Sequence, residues 1–389
     1  MLAAAVEGGD AAGDQEQRPQ FVEVNFGHEL VDEENGAHEY HHQRADEAAI
    51  APYLLRVHTI FYAHRPRKVP LAARAGVSQA LATVIVFSSM RRAAFFWALL
   101  VLILLSFQRQ GSSQSSQTQR LAPDVYWRAA EPDKRIIANA GWVVFRDYVL
   151  VIDANYPWGA RAILADIRAT TNKPIKFVFD THYHGDHAHG NGVFVDAGAT
   201  IVCSADCIAE SRRKNPNAWA RSALDPDYKD EKLEHPQIGF PDKLVFDDGT
   251  HRVELIKVGP GHTLGDAVAW LPKERILFTG DLCVNQRPGN NVADPDADPD
   301  NWVRSLDVLS SYEPVQVVPG HGGLGGKPAL AGQRAYLAAM IAGVRSGIAR
   351  GESADQLADS LDLTSYAPWG ADKARNVPSI RAVYAKLKK

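Results

Sequence analysis

The sequence predicts an α/β fold in which two β-sheets are faced by outer helices, and three observations predict it. From Ile136 onward, short apolar runs of β-forming residues alternate with longer segments of helical period. The strand-like runs fall into two sets, each accompanied by helices. His and Asp residues beside glycine stand at the ends of several of these runs, where a rigid scaffold holds functional groups.

The elements follow in order. Residues 136–145 and 148–152 are apolar runs parted by Arg146-Asp147, a hairpin signal. Pro157 opens a helix to about residue 170, with Ala160, Ile163, Leu164 and Ile167 on one face. Residues 175–179 make a short buried strand ending in Asp180-Thr181; residues 199–203 make the next, and 206–224 a helix. Residues 243–258 read as two strands around Asp248-Gly249, and 267–271 with 276–279 as a second pair around Pro272-Lys273-Glu274. Asp300 is expected to cap a helix over 301–311. Residues 315–318 form a strand running into Pro319-Gly320-His321, and 327–350 a long helix. Ser353 and Gln356 suggest a capping box for a further one. The sequence has no internal repeat.

The 389 residues are 46% hydrophobic and 23% charged, a globular composition long enough to bury a sizeable core. The formal net charge of -4 provides no global basic field, so nucleic acid is not an expected partner. Three cysteines, Cys203, Cys207 and Cys283, are too sparse and odd a set for a disulfide framework. Cys203 and Cys207 could share a helix face, with nothing forcing them to bond.

Residues 1–89 differ in character from the rest. They mix acidic and His-bearing sequence, such as His38, His41 and His42, with short apolar runs, and are expected to be a disordered or non-native extension. Met90-Arg91-Arg92 then precedes an unbroken apolar run over 93–105 and a polar exit. That pattern makes 90–107 a signal peptide or membrane anchor and 108–122 a polar linker. Signals begin at the true start of a chain, so Met90 is the expected initiator and the product is exported, periplasmic or membrane-anchored through 93–105. The folded part is then a core over 123–326 and a helical part over 327–389 packed on it.

The segment Thr181-His182-Tyr183-His184-Gly185-Asp186-His187 carries the chemistry. Beyond a strand, residues at i, i+2 and i+4 project to one side. His182, His184 and Asp186 are therefore expected to converge while His187 points elsewhere. Neutral imidazole and carboxylate are ligands of divalent metals, zinc foremost. Three later motifs each follow a strand-like run beside glycine: Gly261-His262-Thr263, Thr279-Gly280-Asp281 and Pro319-Gly320-His321-Gly322. Glycine lets the backbone turn sharply and approach a bound group closely.

In this order, H-x-H-x-D-H, G-H-T, T-G-D and G-H-G resemble the metallo-β-lactamase superfamily over residues 136–325, in its glyoxalase II-like version with an all His/Asp ligand set. The resemblance implies a four-layer αββα sandwich and a dinuclear zinc hydrolase. His182, His184 and His262 would hold one zinc, and Asp186, His187 and His321 the other, with Asp281 bridging. A metal-bridging hydroxide would attack the carbonyl of a small-molecule ester, thioester, lactone or lactam, with Asp186 and Asp281 as the catalytic carboxylates. Two departures matter. Asp281 stands where the best-known β-lactamases of this fold carry Cys, and Val284 where they place a substrate-binding Lys. Residues 326–389 lack the glutathione-binding signature of glyoxalase II. The alternatives are a β-lactamase, a mononuclear iron persulfide dioxygenase using His182, His262 and Asp281, and a non-catalytic binding protein.

Further residues stand near these motifs. Asp180 is a candidate to hydrogen-bond a ligand imidazole, and Asp266 for the same service or a turn. His189 reads as surface or as support for the ligands. Asn285, Asn290 and Asn291 could face substrate or brace a loop. The acidic run 294–300 lacks the Gly and late Glu of a calcium loop and reads as a lead into a helix cap. Trp302 and Trp369 are core or pocket wall, and Cys283 is a packed thiol.

Overall fold

The computed structural model describes residues 21–24 and 118–388, apart from residues 286, 289, 291 and 293. The expectations for the His-rich tract, for Met90 and for the apolar run 93–105 lie outside the described residues. Among the described residues, no helix is long and apolar enough to cross a membrane.

Two sheets carry the fold. The first has seven strands in sequence order: Thr118–Ala122, Val125–Arg128, Ala140–Val144, Val149–Ile152, Ile175–Phe179, Thr200–Ser204 and Ile238–Phe240. Its first four strands are antiparallel and its last four run parallel, as helix crossovers require. The second sheet has six strands, ordered Phe21–Val24, Lys243–Asp247, Arg252–Lys257, Ala267–Leu271, Ile276–Phe278 and Gln316–Val318. A short parallel pair joins Val284–Asn285 to His321–Gly322.

Buried side chains fall into three large clusters, and these define the layers. Val143, Leu150, Ile152 and Phe179 of the first sheet meet Leu244, Val253, Leu255, Leu271 and Phe278 of the second in the central core. On the outer face of the first sheet, Trp142, Val149 and Val151 cluster with Ala160, Ile163 and Ile167 of helix Pro157–Thr170. On the outer face of the second, Val268, Leu277 and Val317 cluster with Trp302 and Leu306 of helix Pro299–Ser311. Leu330, Leu337 and Met340 of helix Lys327–Ala349 join that cluster. The result is the helix-sheet-sheet-helix sandwich expected. Helices Ala354–Ser360 and Lys373–Leu387 follow, the first with the expected capping box of Ser353 and Gln356. Trp369 donates from Nε1 to the Val284 carbonyl at 2.7 Å, and Tyr336 Oη donates to Asn376 Oδ1 at 2.9 Å. The first bond ties the C-terminal segment to the strand pair beside the site, and the second ties it to helix Lys327–Ala349.

Four sequence readings need correction. The strand expected from residue 136 begins at Ala140, because Ile137 and Asn139 bond instead to Asn155 and Gly320 in loops at the end of the sandwich. The helix expected over 301–311 starts at Pro299 and is capped by Asp298, which accepts from Asn301 N at 2.9 Å. Proline at the first helical position loses no hydrogen bond there, so the earlier start costs nothing. The span read as a polar linker ends in strand Thr118–Ala122, whose half-exposed edge position leaves little hydrophobic signal. Cys203 ends a strand and Cys207 lies in the first turn of helix Ala205–Ser222, and the two form a disulfide with Cα atoms 6.0 Å apart.

Candidate metal centre

Beyond the carboxyl ends of strands Ile175–Phe179, Arg252–Lys257, Ile276–Phe278 and Gln316–Val318, the four motifs meet at one place. His182, His184 and His262 bring one ligand atom each within 4.8 Å of one another, and so do Asp186, His187 and His321. A third group, His182, His187 and Asp281, links the two. Asp281 Oδ1 is 3.4 Å from both His187 Nε2 and His321 Nε2, and its Oδ2 is 3.7 Å from His262 Nε2. Asp281 thus lies between the triads.

Local backbone geometry sets these directions. The Asp153 carboxylate accepts from Thr181 N at 2.8 Å and from Thr181 Oγ1 at 3.0 Å, pinning the residue before His182. The chain then bends into the single helical turn Gly185–Ala188. That turn swings His187 back beside His182, their rings 4.3 Å apart, so His187 does not point elsewhere as strand alternation suggests. Two glycines allow the close approach. Gly280 has φ +51, and a Cβ there would meet Thr181 Oγ1 at 2.3 Å; a Cβ on Gly320 would lie 2.0 Å from Asp281 Oδ1.

His182, His184, His187 and His321 are each held from behind. His187 Nδ1 donates to Asp153 Oδ2 at 2.9 Å, and His321 Nδ1 to the Ile137 carbonyl at 3.0 Å. Because that carbonyl only accepts, Nδ1 of His321 carries a proton and Nε2 is the ring atom turned to the centre. His182 Nδ1 lies 3.1 Å from Thr181 Oγ1. His184 Nε2 lies 3.3 Å from Asp294 Oδ2, and its Nδ1 lies 3.0 Å from His262 Nε2. Such partners fix ring orientation and tautomer, as metal-ligating histidines need.

His182 Nε2, His187 Nε2 and Asp281 Oδ1 are buried with no hydrogen-bond partner. Unpaired buried polar atoms are rare and costly, and three of them in one cluster suit a cation cradle. The charges agree. Burial acts to raise the Asp281 carboxyl, yet His321 and His187 hold it well below the usual range. Burial acts to lower His321, yet Asp281 and Asp186 push it up to about 9. Ionised acids beside buried imidazoles call for positive charge, which a divalent cation supplies. The residues present fit such a group.

The supporting residues differ from those expected. Asp180 bonds no ligand imidazole; it accepts from Asn191 Nδ2 at 2.8 Å, and burial pushes its carboxyl well up. Asp153 holds His187 instead. Its signal was position alone, one residue past strand Val149–Ile152, without the flanking Gly or His that marks the other motifs. Asp266 makes the turn, accepting from Thr263 N at 2.9 Å and Thr263 Oγ1 at 2.5 Å, and burial raises it to about 7. Asn285 braces a loop through the Gly323 and Leu324 carbonyls at 3.0 and 3.1 Å, so it is no substrate group. Asn290 does line the cleft and donates to the Asp281 carbonyl at 3.0 Å; Asn291 lies outside the described residues. His189 is buried, bonded to Tyr228 Oη at 2.8 Å and flanked by Trp219. Within the acidic run, Asp294 bonds Tyr183 and lies 2.9 Å from Lys214 Nζ, and that ammonium also serves Glu210 and Asp296. A cation already occupies the middle of that group, so it is no calcium loop. Cys283 is a packed thiol, pushed up to about 12 by burial. The Trp302 ring packs 5.4 Å from that of His262.

The cluster floors a cleft of about 390 Å³. Ile137 and Val284 give it apolar wall, and Arg287, Arg375 and Ser379 also line it.

Comparison with known proteins agrees with this geometry. Residues 134–321 match the model of the Metallo-beta-lactamase superfamily, a superfamily that is generally hydrolytic. The chain is 29% identical over 147 residues to Metallo-beta-lactamase type 2 of Bacteroides fragilis, covering 37% of this chain and 52% of that protein. It is 28% identical over 159 residues to Beta-lactamase-like protein 2 homolog of Caenorhabditis elegans, covering 41% and 46%. The chain therefore spans about half the length of these curated relatives. Among solved structures, the sec-alkylsulfatase Pisa1 from Pseudomonas sp. superposes with a TM-score of 0.56 at 16% identity, over 69% of this chain and 50% of that one, a likeness of fold.

Proposed function

We propose that this protein is a metal-dependent hydrolase acting on the carbonyl of an ester, thioester, lactone or lactam. His182, His184 and His262 would hold one zinc ion and Asp186, His187 and His321 a second, with Asp281 shared. The carrying observation is the three buried atoms without a hydrogen bond, His182 Nε2, His187 Nε2 and Asp281 Oδ1, clustered beneath an open cleft that Asp281 lines. When bound, such a metal pair supplies a water acidified toward neutrality and a Lewis acid for the carbonyl oxygen. The chain does the rest. Asp186, lining the cleft, orients the attacking water and takes its proton. Asp153, Thr181 and the Ile137 carbonyl keep the imidazoles aimed.

A β-lactamase is the narrower form of the same reading, supported by the Bacteroides relative. Val284, buried where the resemblance places a lysine, gives a β-lactam carboxylate no partner at that position. The test is a panel of ester, thioester, lactone and lactam substrates, nitrocefin included, on protein stripped with chelator and reloaded with zinc. Turnover that appears only on reloading supports the reading. A fully loaded protein that hydrolyses nothing in the panel refutes it. The signal-like run at 93–105 supports an exported or anchored product, and N-terminal sequencing of the native protein tests this.

A further inference from the structure

The cleft is charged in a way the metal cluster does not explain. Outside that cluster its lining holds, among the described residues, two charged groups, Arg287 and Arg375, and no acid. The two acids on the floor, Asp186 and Asp281, belong to the cluster and would be neutralised by its cations. Among the described residues Arg287 has no hydrogen-bond or ion-pair partner. The acid contact of Arg375 is Asp372, 3.6 Å from Nε, which leaves the terminal nitrogens of the guanidinium open.

Arg375 also stands where a helix gains nothing from it. It lies in the first turn of Lys373–Leu387, at the positive end of the helix dipole, where a cation is unfavourable. Asp372 already caps that end, accepting from Ala374 N at 3.0 Å and Arg375 N at 3.4 Å. Yet the helix is anchored to the centre. Ser379 Oγ donates to the Asn290 carbonyl at 3.0 Å, and Asn290 Nδ2 donates to the Asp281 carbonyl at 3.0 Å. One chain of bonds therefore sets the position of Arg375 relative to the residue between the two triads.

We propose that Arg287 and Arg375 form an anion clamp over the metal centre, so that the substrates are carbonyl compounds carrying a carboxylate. This deepens the hydrolase reading and rests on it, because the cations hold the other end of the substrate. The planar guanidinium fork matches a carboxylate bidentately. The clamp is assembled partly from the C-terminal helix, beyond the segment that matches the superfamily model.

The test is calorimetric titration of the zinc-loaded full chain with 3-mercaptopropionate and with its neutral amide, since both offer the same thiol to zinc and only the acid offers a carboxylate. Wild type should bind the acid about 10-fold more tightly, equivalent to about 1.4 kcal/mol, and the preference should shrink as salt rises. In Arg287→Ala/Arg375→Ala the ratio should fall to near one, with the amide's affinity and the zinc content unchanged. Arg375→Lys should keep part of the preference. A ratio that survives in the double variant, or a wild-type ratio of one, overturns the clamp. The outcome separates from the reaction itself. Protein that turns over no panel substrate but keeps the ratio loses the hydrolase reading alone, and protein that hydrolyses neutral esters with a ratio of one loses the clamp alone.

Discussion

The two ligand triads are built from similar parts and held differently. His182, His184 and His262 are all imidazoles, with no formal charge among them when neutral. Asp186, His187 and His321 include a carboxylate, and two braces back the imidazoles: the Asp153 carboxylate behind His187 and the Ile137 carbonyl behind His321. These braces come from the first sheet and the segment leading into it, close to the ligands they serve. In the first triad His184 leans on Asp294, a residue from a distant loop that the same contact ties to Lys214 and Tyr183. The second triad is thus braced from close by and carries a charge of its own, while the first depends on a loop that also borders the cleft. Metal binding and substrate access are expected to couple at the first site and not at the second.

The largest effect should come from Asp281→Ala, because Asp281 serves both triads. It should abolish binding of at least one metal and lower turnover by about 1,000-fold or more, as read by mass spectrometry and kinetics. Asp153→Asn should act mainly on the second site, through His187, and reach the first only through Thr181 beside His182. It removes the charge behind His187 and should weaken one of the two metals by about 10- to 100-fold in a zinc titration, leaving the other in place. Equal weakening of both would show that the triads are not independently braced. Asp294→Asn should act on the first site and more weakly, because His184 Nε2 also meets Tyr183 Oη at 3.2 Å. Less than about 10-fold in metal affinity is expected, with a clearer cost in thermal stability from the charge network around Lys214.

The smallest effect concerns pH. Asp266 is buried and its carboxyl is raised to about 7 from an ordinary 3.8. A raised acid is protonated in the folded chain where the unfolded chain is ionised, so stability falls as pH climbs from about 4 to about 7 and stays low above. Asp266→Asn cannot ionise and should flatten that slope in thermal melts between about pH 4 and 7, at the loss of one acceptor to Thr263. An unchanged slope would place the ionisation elsewhere.

Much of this was legible because local and global signals agreed. Helix Pro157–Thr170 and strands Ile175–Phe179 and Ala267–Leu271 lie where proline and hydrophobic period put them. The ligand motifs were legible because dense His and Asp beside glycine have few structural uses. The misses share a cause in tertiary structure. Residues Ile136 to Ala138 are apolar because they cross the end of the sandwich and not because they pair as a strand. His187 faces the centre because a helical turn replaces strand alternation at Gly185. Asp153 and Asp294 support the ligands from 34 and 110 residues away in sequence, a distance over which spacing carries no information. Asp180 and Asp266, chosen for proximity along the chain, bond elsewhere. Arg375 was invisible because nothing local marks a surface arginine on a helix as facing a cleft.

The most direct measurement is the metal content of the folded full chain, by native mass spectrometry after equilibration with zinc and removal of the excess. Two zinc ions per chain, with Asp153→Asn retaining one at limiting zinc, is the result this account predicts. A folded wild-type chain that retains no metal, or that holds a single iron ion and excludes zinc, would contradict it.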